Sequence, residues 1–246
     1  YNLSAYNILS SGYRNSNRKT EARKTSEQLL KIDPLNHYAR FEYYLLDPTQ
    51  ENLTTFKSGI RNELPHETYL ELAIDYANQH LYNEAVAVLE QAPSYPTVYY
   101  WLAYLLKDSS PGKSATYLGL ALKMSPELVF PFRPETIPVL LWAQSKQPSW
   151  KSLYYLGLIN WKRTDVEGAK ELFLQCGDAP DYAPFYLTRS ILFQNNKDKE
   201  ALVKGDLQTA LDLDPGEWRS WHYISSRHLT KNPTGLFPEK TSATMG

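Results

Sequence analysis

One cysteine, Cys176, stands among 246 residues. That excludes an intrachain disulfide framework and a multi-cysteine metal site. It fits a reducing compartment, which slightly favours the cytoplasm but leaves the location unknown. No apolar run approaches the roughly 18 residues that a membrane span needs, so bilayer insertion is not expected. An excess of one charge is missing too: 26 Lys and Arg against 27 Asp and Glu leave a formal net charge of −1. That removes the electrostatic argument for a nucleic-acid or anionic-membrane partner. The local basic run Arg14, Arg18, Lys19, Arg23 and Lys24 is interrupted by Glu21 and reads as a solvated helix face. The chain opens at Tyr1 with neither Met nor a signal peptide, as expected of a processed piece.

Glycine is scarce as well, at 11 residues, beside 19 Tyr, 6 Trp and 16 Pro. Such a composition suggests packed helices separated by tight turns rather than a sheet with many hairpins. With 42% hydrophobic and 22% charged residues, the chain can bury a sizeable core.

What is present is a repeat. Helix-like runs close on proline at "LLKIDP" (Pro34), "GIRNELP" (Pro65), "ALKMSP" (Pro126) and "ALDLDP" (Pro215). Proline stops a helix because it has no N–H to donate and biases the residue before it to extended geometry. Read backward from these points, the chain gives helix pairs. The first has Tyr6, Leu9, Ser10 and Tyr13, then Ala22, Ser26 and Leu29. Later pairs have Tyr69, Leu72, Ala73 and Tyr76 with Ala85, Leu89 and Ala92, and Tyr99, Leu102, Ala103 and Leu106 with Ser114, Leu118 and Ala121. The last two have Leu153, Leu156, Gly157 and Asn160 with Ala169, Phe173 and Cys176, and Tyr186, Arg189, Ser190 and Phe193 with Val203, Leu207 and Ala210. These spacings place large and small side chains on one helix face. Gly157 and Ala169, one on each helix of a pair, let two axes approach closely.

At these residues the chain resembles the tetratricopeptide repeat family, whose pattern is a large aromatic, Leu-Gly, Tyr, then Ala, an aromatic, Ala and a closing Pro over about 34 residues. The resemblance implies an all-α fold, a right-handed superhelical solenoid of antiparallel helix pairs. The expected organisation is a block over 1–126 of about four pairs, the second irregular, then a Pro-rich insertion over 127–148 with one helix. A block of two pairs over 149–215, a capping helix over 216–231 and a tail over 232–246 follow.

No catalytic constellation emerges. His37, His66, His80, His222 and His228 show no metal-binding helix motif, and neither a metal nor a cofactor is expected. Gly112-Lys113-Ser114 imitates the end of a phosphate loop, but the first glycine of that motif would fall at Lys107. Cys176 sits where the repeat wants a small buried residue. The chain is therefore not expected to be an enzyme.

In the tetratricopeptide family, the resemblance implies, first helices line a concave surface that takes a peptide or protein. Residues one and five past each aromatic anchor should face it: Asn7 and Ser11, Leu70 and Ile74, Tyr100 and Tyr104, Tyr154 and Leu158, Leu187 and Ile191, with Trp161 beside them. The Lys, Asn and Arg set that clamps a terminal carboxylate in some members is lacking, and the groove reads as apolar and aromatic. Packing of the same side chains into a core is the alternative. Arg189 stands where the pattern has Leu and, if buried, needs a partner such as Asp206 or Asp181. With Arg133, Trp218 and His222 it forms a candidate polar site.

The combination "YYLGLINW", "CGDAPDYAPFYLTRS" and "WRSWHYI" is similar to the C-terminal repeat region of certain large uncharacterised bacterial proteins. Their N-terminal part is a β-sandwich region of the kind found in carbohydrate-active proteins. That similarity implies a scaffold for protein–protein contact, including docking of a domain of the same polypeptide. The alternative is a carbohydrate-binding or accessory module, with Tyr100, Tyr104, Tyr154 and Trp161 as stacking platforms.

Overall fold

The computed structural model describes residues 2–216, 218, 219 and 221–223. It is all-α, with no strand among the described residues. The chain divides into two compact units, the first ending at Glu127 and the second beginning at Leu128.

The first unit is a succession of antiparallel pairs: α1 (Leu3–Asn15) with α2 (Lys19–Ile32), α3 (His37–Leu46) with α4 (Gln50–Ser58), α5 (Pro65–Asn78) with α6 (Tyr82–Leu89), and α7 (Pro96–Leu105) with α8 (Pro111–Lys123). In the second unit α9 (Thr136–Lys146) packs on α10 (Trp150–Lys162), α10 pairs with α11 (Val166–Gln175), and α12 (Ala183–Phe193) pairs with α13 (Glu200–Leu213). Residues 35–65 depart from the repeat pattern in sequence, yet they form a short pair with side-chain caps. Asn36 Oδ1 accepts from the Ala39 amide at 2.9 Å and Thr49 Oγ1 from the Asn52 amide at 3.2 Å. Pro65 does not close a helix as its sequence context suggests. It opens α5, where its missing N–H costs nothing and its fixed φ suits the first turn.

Within each pair the small residues serve close approach. Ala22, Ala73, Ala85, Ala103, Ala169 and Ala210 are fully buried. Ser10 Oγ lies 2.7 Å from Ser26 Oγ, and Ser114 donates to the Ala103 carbonyl at 2.6 Å. The imitation phosphate-loop serine is thus a helix-packing serine in the first turn of α8.

First and second helices differ in how far they are covered. The first helices α5, α7, α10 and α12 bury residues nearly all the way round, whereas α6, α8 and α11 bury one narrow stripe each. One member of the basic run also departs from its solvated reading. Arg14 lies at the junction of four helices, with Nε 2.8 Å from Glu42 Oε2 and Nη2 2.9 Å from Glu84 Oε1. Tyr76 donates to the other oxygen of the fully buried Glu42 at 2.9 Å. A carboxylate without solvent needs such partners, because removing a charge from water costs several kcal/mol.

The final helix expected over 216–231 is described only at 216, 218, 219 and 221–223. The rest of it, His228 included, and the tail from 232 lie outside the described residues. Trp221 and Tyr223 pack on Leu187, Leu207 and Leu211, and Tyr223 donates to Gln194 Oε1 at 2.8 Å.

Candidate functional site

The structure takes most of the sequence-derived groove residues inside. Leu70, Ile74, Tyr100, Tyr154 and Leu187 are buried, and Tyr104, Leu158, Trp161 and Ile191 are half-buried. The reason is that first helices are enclosed, so a position one residue past the anchor still meets other side chains. At α7 the anchor Tyr99 is itself half-buried, like Tyr104, while Tyr100 behind it has no exposed surface. Tyr154 meets Phe173 edge-on at 5.5 Å between ring centroids and Phe185 at 5.6 Å. Burial pushes the phenols of Tyr100 and Tyr154 well above their ordinary value. Neither has an open face to offer a sugar ring, so of the four stacking candidates only Tyr104 and Trp161 retain accessible surface.

The members of the candidate polar site differ in exposure. Arg189 is buried and bidentate to Asp206, with Nε to Oδ2 at 2.9 Å and Nη2 to Oδ1 at 2.7 Å. Its third nitrogen donates to the Gly177 carbonyl at 2.6 Å. Every nitrogen of the fork is committed inside the fold, and Asp206 rather than Asp181 is the partner. Arg133, by contrast, lies over the Phe132 ring ahead of α9, and Trp218 is exposed beside His222. Cys176 is buried, its thiol held toward the Leu172 carbonyl, and burial pushes it up to about 12. At neutral pH it is not a nucleophile.

Two clefts reach the surface of the first unit. One, of about 210 Å³, lies among α1, α3 and α5 and is polar: Asn7, Asp33, His37, Thr68, Glu71 and Asp75 line it. Burial first, and the Arg40 charge second, hold His37 below its ordinary value, so it stays neutral at pH 7. No group of three or more His, Cys, Asp or Glu among the described residues is placed to hold a metal ion.

The other is an apolar groove of about 490 Å³ along α1, lined by Ala5, Ile8, Leu9, Gly12, Tyr13 and Ser16, with Arg18 at its end. Leu9 occupies the position of Leu72, Leu102 and Leu156, which are buried, and the sequence pattern assigns it to the core. It is 44% exposed, and Ile8 beside it is 57% exposed. Of α1, only Ser10 and Ser11 are buried. Leu9 and Tyr13 are four residues apart and share a helix face, which the repeat pattern assigns to the packing within the pair.

No family model matches the chain, and no curated protein matches it in sequence. Among solved structures it is similar to YrrB, described as a TPR protein with an unusual peptide-binding site, at 14% identity over 89% of each chain with a TM-score of 0.33. It is also similar to PilF of Pseudomonas aeruginosa, at 16% identity over 92% of this chain and 97% of the other with a TM-score of 0.34. For MamA the identity is 16%, over 86% and 97%, with a TM-score of 0.32. At these TM-scores the likenesses carry no argument about function.

Proposed function

We propose that the chain is a non-catalytic scaffold of tetratricopeptide type that binds a protein partner, with the open face of α1 as its main contact. The observation that carries this is the contrast between Leu9, standing in solvent beside Ile8, and its buried counterparts Leu72, Leu102 and Leu156. A contiguous apolar face rimmed by polar residues marks an interaction surface on a water-soluble domain. Fully covering a side chain such as Leu or Ile contributes about 1.5–3 kcal/mol. Tyr104 in the first unit, and Leu158, Trp161 and Ile191 in the second, are the further contact residues of this reading. The similarity of the C-terminal stretches to a repeat region of large bacterial proteins makes another domain of the same polypeptide one form of the partner.

The test is to pan the immobilised chain against a protein-fragment display library, with the Leu9→Glu variant as a parallel bait checked by circular dichroism. Fragments retained by the wild type and lost by the variant support the reading. If no fragment is enriched by either bait, it fails.

A further inference from the structure

The polar cleft among α1, α3 and α5 contains two side chains for which the fold supplies no hydrogen bond. Asn7 on α1 and His37 in the first turn of α3 both line it. Asn7 Oδ1 and His37 Nδ1 are buried and have no hydrogen-bond partner. Buried polar atoms are nearly always hydrogen-bonded, so two of them in one cleft mark a place that the fold by itself does not satisfy. Three carboxylates line the same cleft: Asp33 from the turn ahead of α3, and Glu71 and Asp75, one helical turn apart on α5. No Lys or Arg is among the lining residues. Arg40, whose charge reaches His37, is turned to neutral carbonyls instead. Its Nε and Nη2 donate to the Pro34 carbonyl at 3.1 and 2.7 Å, and its Nη1 to the Thr55 carbonyl at 3.3 Å.

We propose that this cleft receives the cationic side chain, Lys or Arg, of a protein partner. That the partner is a protein rests on the interaction reading above, but the cleft shares no lining residue with the α1 groove. Chemistry, charge and size agree on the occupant. An ammonium or guanidinium brings donors alone, which suits carboxylates, a carboxamide oxygen and an imidazole nitrogen. Burial keeps His37 uncharged at pH 7, so it adds no competing positive charge. Glu71 and Asp75 stand four residues apart on one helix, a spacing at which like charges repel, and a cation between them turns that repulsion into attraction. At about 210 Å³ the cleft is smaller than the roughly 300–1,000 Å³ of cofactor and drug-sized sites, and one long side chain fills it. Leu35 and Leu72 in its lining give the methylene stem of such a side chain an apolar wall.

The test is a heteronuclear NMR titration of the chain with three blocked peptides: Gly-Ser-Arg-Ser-Gly, its Lys counterpart, and its citrulline counterpart, which keeps the arginine shape without the charge. Saturable shifts of the Asn7 carboxamide and the His37 ring are expected with the Arg or the Lys peptide. Citrulline should bind at least about tenfold more weakly. The variant Glu71→Gln/Asp75→Asn, checked by circular dichroism, should lose a similar factor toward the cationic peptides. Citrulline binding as tight as arginine would overturn charge recognition. Shifts that bypass Asn7 and His37, or no shift with any peptide, would overturn the site. Spermidine binding more tightly than either cationic peptide would make a free amine the occupant and overturn the protein-side-chain form. The α1 contact stands or falls separately, through Leu9→Glu.

Discussion

A Cβ on Gly157 would stand 2.7 Å from both Cδ2 and Cε2 of Phe173. Real Cβ atoms essentially never come that close to a ring carbon, so the glycine on α10 is the space that the α11 phenylalanine fills. The ring is fully buried and stacks on Phe185 of α12 at 5.3 Å and 12°, so it has no free direction in which to retreat. Gly157→Leu is therefore expected to destabilise the second unit by about 1–3 kcal/mol through overpacking. A urea titration measures it as a lowered midpoint, and a variant as stable as the wild type would show that the Phe173 ring can move.

The Arg189–Asp206 pair joins α12 to α13 without solvent. Breaking one side leaves the buried guanidinium with only the Gly177 carbonyl and the more distant, exposed Asp178 carboxylate at 3.5 Å, so Asp206→Ala should cost about 3 kcal/mol. Replacing both at once, as in Arg189→Met with Asp206→Leu, should recover most of that loss. A double-mutant cycle reads the coupling, and additive losses would mean that the two side chains act independently.

Stability should fall at both ends of the pH scale, in each case because burial excludes the charged form. Burial lifts the phenol of Tyr38 to about 12 and that of Tyr76 far above its ordinary value. Above pH 10, where unfolded tyrosine ionises, the unfolded chain then binds fewer protons than the folded one, so stability is lost as pH rises. On the acid side, His66 is buried against the Tyr95 ring at 3.5 Å, and burial holds it below its ordinary value of 6.5. The unfolded chain takes up that proton first, so stability is lost as pH falls below about 6.5. Tyrosinate absorbance followed together with helical circular dichroism checks the alkaline arm. Tyrosines that all titrate near pH 10 while the helices persist would refute it.

The helix pairs were legible because their causes are local. Prolines, small residues and apolar spacing recur within about 34 residues, and chain neighbours decide what they do. Arg189 stands out in the sequence for the same reason: it occupies a position where the repeat has an apolar residue, so burial there would require a carboxylate. The choice of Asp206 over Asp181 was not legible, because both lie within reach in sequence and only the packing of α13 selects one. The groove residues stayed open between a binding surface and a core for a related reason. The repeat pattern says which residues face a pair's own partner helix, while exposure depends on every other helix nearby. Tyr100 and Leu9 therefore exchanged roles, the expected surface residue going inside and the expected core residue staying in solvent.

By itself the sequence determined the all-α class, the antiparallel pairing and the small-residue contacts, since these follow from covalent geometry and from periodicity within one repeat. Only the tertiary structure decided that Phe173 is what Gly157 makes room for, that Arg14 serves two carboxylates, and that α1 carries its apolar seam uncovered. Each of these depends on residues distant in the chain. Burial is a property of all neighbours at once, and a repeat pattern names only those within one pair.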